Sequence, residues 1–187
     1  MKFLFLPFVA TILFSGACSD ATKKASSCDY EIINDSTAFR QSMGDCKLRK
    51  TDFENLPVED DHSYTSFTDQ GTGLVITGQW LVTRTQGPDK FMYAPKTCQK
   101  NTVDLFVPEF CNGIWLNYAE FNGKATNFIL WLNFGGDQEN LAFPLPSPVN
   151  TKPGSNYSFG VKTRQKIVTA KIVYTDTMNL KLDNIIF

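Results

Sequence analysis

Asn122-Gly123 is the strongest local signal in the chain. Both central positions of a type I′ turn need positive φ, which asparagine and glycine accept and most residues resist, so the dipeptide predicts a two-residue hairpin. It stands between two segments rich in aromatic and aliphatic residues, 113–121 and 124–134. Such a turn pairs Phe121 with Lys124 and thereby fixes every opposite pair behind it. In that register Trp115, Ala119 and Phe121 face Phe128, Leu130, Leu132 and Phe134, and this apolar side is assigned to the core. The other side is mixed: Ile114, Leu116, Tyr118 and Glu120 lie with Ala125, Asn127, Ile129, Trp131 and Asn133.

The same period of two recurs along the chain. Leu74, Ile76, Trp80 and Val82 alternate with Thr77, Gln79 and Thr83, the pattern of a half-buried strand. Further strands are predicted over 102–107, 157–163, 166–174 and 179–187, each bounded by turn-forming residues. Pro144, Pro146 and Pro148 would remove ladder donors from a central strand, so their segment must be a loop or an edge. Near the start, Tyr30–Ile33 reads as a short strand, and Asp35 or Ser36 can cap a brief helix through Met43, with Phe39 and Met43 four apart. The chain has no long 3.6-residue periodicity and no βαβ alternation. These features predict an all-β protein, an antiparallel β-sandwich of jelly-roll type with a short N-terminal helix.

The N-terminus reads as an address. Met1-Lys2, the apolar run 3–14 and Ser15-Gly16-Ala17 form the charged, hydrophobic and small-residue parts of a secretory signal, 1–17. The run falls short of the roughly 20 apolar residues needed to span a bilayer. Residues 18–27 make a polar tether, and 28–187 form one domain whose strand-rich core begins at about residue 51. Ser15-Gly16-Ala17-Cys18 resembles a bacterial lipobox, which implies that Cys18 is the lipidated first residue and that membrane contact is through the lipid anchor only. Ser19 in the next position resembles the sorting signal for the outer membrane of the cell envelope. With Cys18 assigned to lipid, the five cysteines leave an even set, Cys28, Cys46, Cys98 and Cys111, with three possible pairings. Cys28 with Cys46 and Cys98 with Cys111 are favoured because each closes a short loop. Zinc is disfavoured, since no Cys-x-x-Cys spacing occurs.

Composition then excludes function classes. With 18 basic and 19 acidic residues, no positive field exists to bind nucleic acid. The single histidine sits in Glu59-Asp60-Asp61-His62, a polar loop without a second cluster, and no nucleophile-elbow, zinc-protease or phosphate-loop motif occurs. Hydrolysis would need two carboxylates about 5 to 9 Å apart, for which Glu120 and Asp137 are the candidates. The mixed face offers something better. A sugar ring could stack on Trp131 or Tyr118 while Asn127, Asn133 and Glu120 bind its hydroxyls. The expected function is therefore non-catalytic binding of a glycan or another cell-surface ligand. The alternatives are a structural or inhibitory lipoprotein with a protein partner and a small hydrolase using acids such as Glu120 or Asp137; for the mixed face itself, the alternative is that a loop or the N-terminal segment packs over it.

Two strings carry a family resemblance: Asp52-Phe53-Glu54-Asn55-Leu56-Pro57, and Leu182-Asp183-Asn184-Ile185-Ile186-Phe187. They resemble the opening and closing strands of galactose-binding-like jelly-roll domains, a group that includes many carbohydrate-binding modules and secreted bacterial surface proteins. The resemblance frames residues 52–187. It implies that Glu54 and Asp183 lie side by side and help to hold a structural calcium ion, with loop carbonyls completing the six to eight oxygen ligands that calcium takes.

Overall fold

Two strands are long enough to run through two layers each. β6, Thr102–Glu120, has 19 residues and β9, Tyr157–Val173, has 17, and the two pair antiparallel along their length. The computed structural model describes residues 30–44, 46–56, 64–84, 90–94, 102–120, 127–136, 140–146, 156–174 and 179–187. In the first layer, β4 (Val75–Arg84) pairs with the first half of β6, and β3 (Tyr64–Thr68) lies beyond it. On the opposite side, β7 (Ile129–Asn133) pairs with the second half of β9, and β8 (Leu141–Pro144) forms the edge.

The second layer uses the remaining halves of the long strands. There β10 (Leu180–Ile186) pairs with β6, and β1 (Tyr30–Ile33) pairs with β9. The short β2 (Lys50–Asp52) lies on β10, so the segments around the two family-like strings do meet. Strand β5 (Lys90–Ala94) pairs with both β4 and β10 and joins the layers on their other side. Among the described residues every pairing is antiparallel, and the ten described strands form one curled sheet. The all-β antiparallel class expected from the sequence is the class observed.

The hairpin expected around Asn122-Gly123 does not form. Residues 121–126 lie outside the described residues, but the flanking strands are not neighbours, because β9 stands between β6 and β7. The cause is competition for edges. The second half of β6 already has β10 on one side and β9 on the other, so no donors or acceptors remain for β7.

The face assignment changes for a related reason. The register of β6 against β9 shifts between Phe106 and Cys111 and again before Gly113, a stretch that includes Pro108, which has no N–H to donate. Across this irregularity the inward parity reverses. Val103, Leu105 and Val107 point into the main core before it, and Ile114, Leu116 and Tyr118 do so after it. Trp115, expected in the core beside Phe128 and Leu130, instead belongs to a second apolar cluster on the outer side of the second layer. Phe128, Leu130, Leu132 and Phe134 are buried in the main core, as their alternation predicts.

That second cluster is roofed by a helix, α1 (Ser36–Ser42). Asp35 caps it by accepting a hydrogen bond from the Ala38 N–H at 2.7 Å. At its other end the Lys162 ammonium donates to the Ser42 carbonyl. Phe39 and Met43, one turn apart, press onto Trp115, Ile33 and Ile186. Glycines make the close approach possible: a Cβ on Gly113 would lie 2.7 Å from Met43 Sδ, and one on Gly160 would lie 2.5 Å from the Trp115 ring.

Candidate functional site

The outer side of the first layer has no helix over it among the described residues. Its pairing registers align two rows of side chains. One row runs Trp131, Lys171, Asp104 and Thr77 across β7, β9, β6 and β4. The next runs Asn133, Thr169, Phe106 and Val75. These residues face outward because their neighbours Leu130, Leu132, Ala170, Ile172, Leu105 and Ile76 are in the core.

Two large rings stand in this polar field. Trp131 is 41% exposed and Phe106 is 44% exposed. Two strand spacings and one two-residue step separate them, roughly 12 Å in ordinary sheet geometry. Between them Lys171 bridges to Asp104 at 3.2 Å, which holds the lysine stem down along the sheet. Trp131, Asn133, Asn140, Thr169 and Lys171 line an open groove of about 430 Å³. Asn133 organises the groove's end: its Oδ1 accepts from the Gly135 N–H at 2.8 Å, and its Nδ2 donates to Asn140 Oδ1 at 2.8 Å. Gly135 and Gly136 both have positive φ, at 79° and 64°, and turn the chain away from β7 there.

The structure divides the residues predicted to bind ligand. Trp131 and Asn133 share the groove, and Asn127 is exposed beyond the opposite end of β7. Tyr118 and Glu120 do not reach it, because the parity reversal in β6 turns both inward. Tyr118 is fully buried, packs against Phe128 and Tyr157, and donates its hydroxyl to the Pro146 carbonyl at 2.8 Å. Burial, with the neighbouring Tyr157 adding to it, pushes its phenol well above the ordinary tyrosine value. Glu120 is 1% exposed and accepts from the Asn179 N–H at 3.3 Å and from Asn179 Nδ2 at 3.4 Å. That carboxylate anchors the start of β10. Asp137 and Glu59-Asp60-Asp61-His62 lie outside the described residues.

Glu54 and Asp183 are engaged separately. Glu54 Oε1 accepts from the Lys90 N–H at 3.0 Å, while the Lys90 ammonium is held by the Glu54 and Leu56 carbonyls at 2.6 Å each. Asp183 Oδ2 accepts from Asn156 Nδ2 at 3.1 Å and Asn184 Nδ2 at 3.0 Å. Among the described residues no three acidic, histidine or cysteine side chains converge. No disulfide joins Cys46 and Cys111 in the structure; Cys18, Cys28 and Cys98 lie outside the described residues.

Sequence reasoning missed Lys171, Thr169, Asn140 and Phe106. A signal for Phe106 existed: Val103, Leu105 and Val107 form the apolar side of that segment, and Phe106 stands on the polar side with Asp104. The groove itself could not be read, since it needs β9 beside β7.

Among solved structures, the chain is similar to the K2 cleaved adhesin domain of Lys-gingipain, with 12% sequence identity and a TM-score of 0.38, over 85% of this chain and 99% of that one. No family model matches, and no curated protein matches.

Proposed function

We propose that this protein is an exported, lipid-anchored, non-catalytic domain that binds a glycan on the outer face formed by β7, β9 and β6. The observation that carries this reading is Trp131, a tryptophan left 41% exposed on a sheet face and set in a groove with amide, hydroxyl and ammonium groups. An aromatic face stacks on the apolar side of a sugar ring, while Asn140, Thr169 and Lys171 are suited to its hydroxyls. The spacing to Phe106 gives a second stacking position along an extended chain of sugars. The lipid anchor rests on the sequence around Cys18 and places the domain at a membrane surface.

A glycan array with the mature protein, followed by titration of the best ligand, tests the site. Trp131→Ala is expected to weaken binding tenfold or more, equivalent to about 1.4 kcal/mol, with little change in melting temperature. Leu130→Ala, on the buried side of the same strand, is expected to cost about 2 to 5 kcal/mol of stability. Parent-like affinity of Trp131→Ala would overturn the glycan site, and so would unfolding as severe as that of Leu130→Ala. A protein partner is the second reading, favoured by Tyr30 and Ile32, 52% and 48% exposed on β1. Loss of partner capture by Ile32→Asp, with capture kept by Trp131→Ala, would select it.

A further inference from the structure

We propose that Cys46 and Cys111 form a disulfide in the exported protein, stapling the segment after α1 to the bend of β6. Both residues line one groove of about 220 Å³, together with Met43, Leu48, Arg49 and Phe187. The backbone on each side of Cys46 is held against elements next to Cys111. Upstream, the Cys46 N–H donates to the Met43 carbonyl at 3.2 Å, and Met43 itself packs over Gly113, two residues from Cys111. Downstream, Arg49 and Phe187 exchange both backbone hydrogen bonds, at 2.8 and 3.1 Å, at the end of β10, which pairs with β6. Cys46 is thus confined over a short arc beside the irregular stretch of β6 that contains Cys111. This pairing replaces the local ones expected from loop length alone, Cys28 with Cys46 and Cys98 with Cys111.

Exposure sets the order of the chemistry. Cys46 is exposed, whereas Cys111 is partly buried and donates its S–H to the Gly113 carbonyl at 3.2 Å. Burial raises the Cys111 thiol above its ordinary value, which keeps it protonated while Cys46 reacts. The Cys46 thiolate attacks the disulfide of an exported thiol–disulfide oxidoreductase, forming a mixed disulfide and releasing one enzyme thiolate. Cys111, losing its proton, then attacks the Cys46 sulfur, forming the Cys46–Cys111 bond and expelling the second enzyme thiolate. The two cysteines lose two protons and two electrons, and the oxidoreductase disulfide is reduced to a dithiol.

Tryptic mapping of the exported full chain, blocked with an alkylating agent and left unreduced, tests the pair. Trypsin places Cys28, Cys46, Cys98 and Cys111 in separate peptides, 25–40, 41–47, 97–100 and 101–124. The expected product is 41–47 linked to 101–124, lost on reduction. In Cys46→Ser the Cys111 thiol should become alkylatable, and Cys111→Ser should free Cys46 in the same way. A link from 41–47 to 25–40 or to 97–100, or alkylation of both thiols in the parent, would overturn the proposal.

Discussion

Asp69 shows how a single side chain ties a turn to the strand beside it. It follows β3, and its Oδ1 accepts from the Gly71 N–H at 2.9 Å and the Thr72 N–H at 3.3 Å. The Thr72 hydroxyl is bonded in turn to that of Thr51 on β2 at 2.8 Å. Burial works against the charged carboxylate, but hydrogen bonds from the two threonines and from the Gly71 and Thr72 backbone outweigh it, and the net effect holds its pKa below the ordinary carboxylate value. A group with a lowered folded-state pKa contributes stability above its unfolded value and loses it as pH falls through the folded one. Thermal melts taken downward from pH 5 should therefore show part of the acid loss beginning below about pH 4, and Asp69→Asn should lack that part. A variant whose melting temperature tracked the parent across the whole range would show that Asp69 contributes nothing to acid sensitivity.

At the scale of elements, helix α1 depends on what the strands beneath it leave out. A Cβ on Gly160 would meet the Trp115 ring at 2.5 Å and the Ile33 carbonyl at 2.8 Å, and neither can yield without moving β1 or the helix. Gly160→Ala is expected to destabilise the protein by about 1 to 3 kcal/mol, read from denaturant unfolding, whereas Gly44→Ala meets no atom and is strained only by its positive φ of 58°. The helix was legible in the sequence because its signals are local: Asp35 caps it, and Phe39 and Met43 share one face. Strands β1, β4 and β10 were legible for the same reason, and Pro144 correctly demoted β8 to an edge. The hairpin was misread because a turn-forming dipeptide says nothing about which edges are already occupied. The burial of Tyr118 and Glu120 was hidden by a parity reversal whose position depends on the register between β6 and β9. The outward placement of Trp131 and Asn133 was legible because alternation within β7 needs only Leu130 and Leu132 to point inward.

At the scale of the molecule, the N-terminal sequence makes a claim of its own. Processing before Cys18, with lipid attached to that cysteine, is the expected fate of the leader, and mass spectrometry of the mature N-terminus checks it. An unmodified Cys18 or a different first residue would remove the anchor from the proposed function. If the anchor is present, the length of β9 acquires a mechanical meaning. Residues 160–163 of β9 pair with β1, the first strand after the tether, and Thr169 and Lys171 of the same strand line the groove beside Trp131. A tug between an immobilised ligand and the membrane would thus run along the covalent backbone of one strand, and the core need not shear to transmit it. The weakest link in that line is the four-residue ladder of β1 on β9, so this short strand should peel first under force and leave the grip on the ligand intact.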